Sequence, residues 1–236
     1  MTNKTPPTKL NPALTLALTL FHGITIYGFY LLFCGEYSLQ LFFYQIALTY
    51  LAGFTFGTGD YGMWAHQAAL SPSRRAGLMI LHTFTLQGPL YFWARVHRLH
   101  HKQSDGAEDA QNAIRGVVYS HIGWLLCFNE KQFHKDLASA KIREDDIRAD
   151  KIVMWQSKNY YWMSAAALGI TCFIPVLMGW EQSIWHVLVA ALTGVVINLH
   201  VACWTNMWGT KSFERSIGPV VHEIIHFLTY GMGRVC

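Results

Sequence analysis

The sequence predicts an all-α membrane protein, with four transmembrane helices in two hairpins beneath a cytosolic helical cap. Three observations carry this expectation. Apolar residues make up 52% of the 236 and charged residues only 14%, against roughly 25% charged in ordinary soluble proteins. Four stretches are long and apolar enough to span a bilayer, which takes about 20 residues. Every Lys and Arg falls before the first stretch, between the second and the third, or after the fourth.

Taken in order, the spans are expected at 12–34, 38–58, 160–180 and 183–204. Only Gly35, Glu36 and Tyr37 separate the first two, and Glu181 and Gln182 the last two, so each pair reads as a tight helical hairpin. Neither tip carries a basic residue. Basic residues stay on the cytoplasmic side, which places both termini, and a cap made of 59–158 and 205–236, in the cytosol. The whole chain, 1–236, then forms one membrane domain. A fifth apolar stretch, Ala76 to Trp93, contains His82, Gln87, Gly88 and Pro89. As a span it would put Arg74 and Arg95 on opposite sides of the membrane, so it is read as one interfacial or buried helix. No cleavable signal peptide is expected, because the first apolar stretch is long enough to span. The cysteines, Cys34, Cys127, Cys172, Cys203 and Cys236, are odd in number and form no CxxC pair. They indicate neither a disulfide framework nor a zinc ribbon. The net charge of +4 is modest and gives no reason to expect a nucleic-acid partner.

Twelve histidines are many for this length. His97, His100 and His101 form an HxxHH cluster, and on a helix all three can face one point. Neutral imidazole is the commonest protein ligand for iron and zinc. His66, just past the second span, falls at the same membrane face and is a fourth candidate ligand. A solvated basic face is the alternative for the cluster. His22 and His186 read as satisfied polar groups inside spans, although intramembrane ionisable residues are functional suspects. His200 stands alone in the fourth span, and His121 and His134 lack metal-ligand spacing. His222-Glu223-Ile224-Ile225-His226 matches the HExxH pattern of zinc proteases, in which the histidines bind zinc and the glutamate is general base. It is short enough to arise by chance. The alternative is an amphipathic helix with Val221, Ile224, Ile225 and Leu228 packed inward, so His222 and His226 are the weaker metal candidates.

These residues bring a family into view. The segments Trp93 to Lys102, Arg115 to Leu126 and Met207 to Lys211 resemble the membrane fatty acyl-CoA desaturases of the stearoyl-CoA, Δ9 type. The resemblance implies an endoplasmic-reticulum protein that acts on fatty acyl-CoA, with electrons from cytochrome b5. It also implies two irons, which activate oxygen to remove two hydrogens from the acyl chain. Trp93, Arg95 and Asn112 match family positions near the substrate.

The ligand pattern is broken. Tyr61 stands where the first histidine of an HxxxxH box belongs, whereas His66 is kept. His97, His100 and His101 complete the second box. The family's Asp-Pro-His-Asn reads Asp109-Ala110-Gln111-Asn112, and an asparagine-histidine element reads Ala202 and Asn206. Val235 holds the place of the last box's first histidine, and the rest of that box is absent, as in a C-terminally truncated member. The basic residues that face the CoA phosphates are replaced by Cys127, Phe128 and Asn129. The resemblance therefore implies a member impaired in catalysis that holds one iron or none, able to associate with an active relative. Two alternatives stay open. One is an active desaturase with replacement ligands such as His200, His222 or His226, or ligands from a second chain. The other is a zinc metalloprotease built on HExxH.

Overall fold

The computed structural model describes residues 9–55, 64 and 70–208. Among them the regular structure is helical, with no strand. The helices are α1 (Pro12–Phe33), α2 (Leu39–Thr55), α3 (Pro72–Thr83), α4 (Leu90–Gln103), α5 (Trp124–Leu126), α6 (Glu130–Ser139), α7 (Asp145–Ala149), α8 (Lys151–Leu177) and α9 (Ile184–Trp208). Three segments are long and apolar enough to cross a membrane: α1, α8, and Ile184–Trp204 of α9. The expected second span falls on α2, whose described part is 17 residues; the rest of that span lies outside the described residues.

The chain divides into two compact units. One comprises Pro12–Ala94 and Glu144–Val201. Within it α1 starts on a proline, whose fixed φ suits a first helical turn. It stops at Gly35, whose φ of 72° is a conformation glycine adopts freely. The Glu36 amide there donates back to the Leu31 carbonyl at 2.9 Å. Close approach to α9 needs small residues. A Cβ on Gly53 of α2 would lie 2.6 Å from Asn198 Oδ1, and one on Gly194 of α9 would lie 2.6 Å from Thr49 Oγ1. Leu41, Cys172, Val187, Ala190 and Ala191 fill the core of this bundle.

Helix α8 begins nine residues before the expected third span at Tyr160. The reason is a cap. Asp150 Oδ1 accepts from the amides of Ile152 and Val153 at 2.9 and 3.3 Å, which satisfies donors that a helix start leaves open. The other oxygen accepts from Trp64 Nε1 at 3.0 Å and pairs with Arg75. Polar residues such as Gln156 and Lys158 lengthen the helix at this end without breaking it.

The stretch Ala76 to Trp93 is not one helix, contrary to expectation. It ends in α3 at Thr83 and restarts in α4 at Leu90. Leu86 and Gly88 take φ of 55° and 108°, and Pro89 cannot continue a helix. Three hydrogen bonds match buried polar groups of this turn, which burial would otherwise penalise. His82 Nε2 bonds the Gly88 carbonyl at 2.8 Å, and the Tyr160 hydroxyl accepts from the Gly88 amide at 2.6 Å. Gln156 Oε1 accepts from the Leu90 amide at 3.0 Å.

The other unit holds Arg95–Arg143, the chain up to Asn11 and the chain from Ala202. It starts with the second half of α4. A loop reversing at Asp105 (φ 61°) follows, then a 3-10 turn at Ala113–Arg115. A helical segment from Val117 to Leu126 comes next, widened to π geometry at Tyr119–Gly123. Asn129 caps α6 by accepting from the Gln132 amide at 3.0 Å. Leu99, Trp124, Phe133 and Leu137 are buried here, as are Ala202, Cys203 and Met207.

Candidate metal centre and acyl-CoA residues

Helix α4 places the HxxHH histidines on one face, as their spacing predicts. His97 and His101 are one turn apart. Their Nε2 atoms lie 2.7 Å from each other, with the rings crossing edge to face at 4.3 Å. The His100 ring is 6.4 Å from His97 and 6.0 Å from His101. His97 and His100 are buried and His101 is exposed.

Asp109 orients His100. Its Oδ2 lies 2.9 Å from His100 Nδ1. The carboxylate is itself held, because Oδ2 accepts from the Asp105 amide at 3.1 Å and Oδ1 from the Gln111 amide at 2.9 Å. A buried carboxylate on one ring nitrogen is the arrangement by which ligating histidines are aimed through the other. The sequence reading did not give Asp109 this role. The signal available was an acid eight residues beyond the cluster, but its contact with His100 depends on the reversal at Asp105.

The residues expected near substrate fall in separate units. Trp93 is fully buried and donates from Nε1 to the Gln87 carbonyl at 2.8 Å. Arg95, also buried, carries its guanidinium over the Phe133 ring at 5.2 Å. Asn112 is committed to its own loop. Its Nδ2 donates to the carbonyls of Asp105 and Gly106 at 3.1 and 2.7 Å, and its Oδ1 accepts from the Ile114 amide at 2.9 Å. Beside it, the Gln111 amide group is buried with neither side-chain polar atom hydrogen-bonded.

The remaining histidines are settled by contacts, with one correction. His200 is not alone: its Nε2 lies 3.1 Å from Nε2 of His22 on α1. His22 donates from Nδ1 to the Leu18 carbonyl at 2.6 Å. His186 lies 3.6 Å from Glu181, and His134 3.9 Å from Glu130. His121 packs edgewise on Trp204 at 5.7 Å, and burial lowers its pKa. His66, His222, His226, Tyr61 and Val235 lie outside the described residues, as does the side chain of Asn206.

The donor set can be tested against the implied metals. Two ligand nitrogens, each about 2.1 Å from one ion, stand roughly 3 Å apart. The His97–His101 pair is close to that spacing, and His100 is braced as a ligand would be. Among the described residues, however, no three His, Cys, Asp or Glu side chains gather closely enough to hold a metal ion. The described donors therefore fit part of one ion's shell and do not fit a two-metal centre. Ala202, at the asparagine position of the asparagine-histidine element, is buried and offers only a methyl group.

Comparison with known proteins identifies the relatives. No family model matches the chain. It is 31% identical over 225 residues to the acyl-CoA Delta12-desaturase of Acheta domesticus, covering 92% of this chain and 62% of that protein. It is 31% identical over 247 residues to the acyl-CoA Delta(11) desaturase of Trichoplusia ni, covering 98% of this chain and 67% of the relative. An acyl-CoA desaturase of Cyprinus carpio is 29% identical over 239 residues, covering 97% and 70%. The chain thus spans about two thirds of the length of the curated relatives it matches. With more than nine-tenths of its residues aligned to enzymes of one kind, the chain belongs to the acyl-CoA desaturase family.

Proposed function

We propose that this chain is an acyl-CoA desaturase-family membrane protein of lipid metabolism, bound to fatty acyl-CoA but impaired in desaturation. The observation that carries the reading is the donor set. The second histidine box is intact, but Tyr61 and Asn206 stand where the family pattern has histidines, and neither supplies an imidazole. Two cations held in fixed geometry need many neutral donors, along with partners that orient them. The residues that would hold one iron are His97, His100 and His101, with His66 as a fourth. When bound, the metal would supply oxygen activation. His97 and His101 offer it adjacent nitrogens, and Asp109 fixes the direction of His100. Trp93 and Arg95 remain for the acyl-CoA.

The same reading covers topology. The stretch 38–58 is taken as a fourth span, so that α1 with α2 and α8 with α9 form two hairpins with both termini cytosolic, in the endoplasmic reticulum. An active desaturase fed by cytochrome b5 is the competing reading, favoured by the complete HxxHH box and its carboxylate brace. An HExxH protease has no such support.

Metal content separates the two. The chain, purified from membranes of iron-supplied cells, is expected to hold at most one iron, lost on His97→Ala. A value near two per chain contradicts the proposal and supports the active reading.

A further inference from the structure

Three aliphatic side chains outside every span are exposed together: Ile114 at 70%, Val117 at 44% and Val118 at 79%. Ile114 sits in the 3-10 turn, and the two valines open the helical segment that runs to Leu126. Exposed apolar side chains on α1 or α8 face lipid as a matter of course. Here the same exposure occurs on a segment that would otherwise face water, and contiguous apolar patches of this kind mark interaction sites.

What covers the patch follows from where the segment is tied. The backbone amide of Asn11 donates to the Leu126 carbonyl at 2.6 Å, and its side-chain Nδ2 donates to the Phe128 carbonyl at 3.2 Å. Asn11 immediately precedes Pro12, the first residue of the apolar helix α1. Within the same segment, the His121 ring packs on Trp204 at 5.7 Å, and Trp204 ends the apolar stretch of α9. The segment is thus tied at two points to residues at the ends of apolar helices, where tryptophan rings sit at headgroup level. The one charge in the patch, Arg115, lays its guanidinium 3.3 Å over the Tyr119 ring. A basic group carried on an apolar stem suits this depth.

We propose that Ile114, Val117 and Val118 insert into the boundary between headgroups and acyl chains, and so anchor the Asp109–Asn112 loop to the bilayer surface. The partner is the lipid bilayer, recognised by aliphatic side chains beside a basic group. The inference rests on α1 and α9 spanning the membrane, and not on whether the chain desaturates.

The test uses the full chain in lipid nanodiscs. An environment-sensitive fluorophore is attached at Val118→Cys, with Leu20→Cys on the lipid side of α1 and Glu130→Cys on α6 as references. The parent chain, labelled in parallel, corrects for native cysteines. All three positions are exposed, so labelling leaves the packing in place. The Val118 label is expected to be quenched by a lipid carrying a nitroxide near its headgroup and to lose most of the iodide quenching seen at Glu130. Iodide quenching equal to that at Glu130, with Leu20 still quenched by lipid, overturns the proposal while leaving the spans standing. Protection from iodide without lipid quenching, or only with two chains per disc, assigns the patch to a protein partner or a second copy and also overturns it. Loss of lipid quenching at Leu20 as well would remove the spans on which the inference rests.

Discussion

Asp109 is the residue on which the local chemistry turns. It binds His100 and two backbone amides while buried, so Asp109→Ala removes three partners at once. Leaving buried donors unmatched costs about 1–3 kcal/mol, which a thermal melt should register. Loss of such a brace typically weakens metal binding by roughly 10–100-fold, which titration with ferrous ion or zinc would read. His101→Ala, at an exposed side chain, should lower metal affinity without the stability loss. His121 supplies a second residue-scale test. Burial lowers its pKa, so the unfolded chain binds its proton more readily. Its contribution to stability is complete above the ordinary histidine pKa of about 6.5 and is lost as pH falls below that value. His121→Gln should flatten this limb of the stability–pH curve; an unchanged limb would assign it to other groups. The HxxHH face was legible because helical spacing is local. Asp109 was not, because its contact with His100 passes through a reversal that no periodicity reports. The His22–His200 pair was missed for the same reason: it joins helices far apart in sequence.

At the scale of elements, hydropathy located the apolar helices well and their ends poorly. Three of the expected spans coincide with helices long and apolar enough to cross a membrane, since a run of about 20 apolar residues is itself the signal. The start of α8 was hidden, because a cap such as Asp150 acts in a polar stretch where hydropathy is silent. The break between α3 and α4 was marked by Gly88 and Pro89, but the apolar content of Ala76 to Trp93 outweighed them in the sequence reading. Packing between elements gives a further expectation. Helix α2 meets α9 through Gly53 and Gly194, where added Cβ atoms would lie 2.6 Å from Asn198 Oδ1 and Thr49 Oγ1. Close approach of this kind is how helices associate in lipid. Gly53→Leu and Gly194→Leu should each lower the melting temperature and reduce the yield of folded protein in detergent. Gly23→Leu, at a position with open space around it, should leave both unchanged.

At the scale of the whole molecule, family and activity separate. The relatives are acyl-CoA desaturases and the chain aligns with them over nearly all its length, so its helices and second histidine box belong to that family. What sequence alone could not settle is whether the remaining donors complete a working centre, because donors distant in sequence meet only through the fold. The described donors match part of one ion's shell. The most direct measurement is the fatty-acid profile of desaturase-deficient cells expressing this chain, with its abundance verified in the membrane fraction and an active desaturase as reference. The expected profile is that of cells without the chain, with no new double bond at any position. An unsaturated product that appears with the chain and disappears with His97→Ala would contradict the proposed impairment.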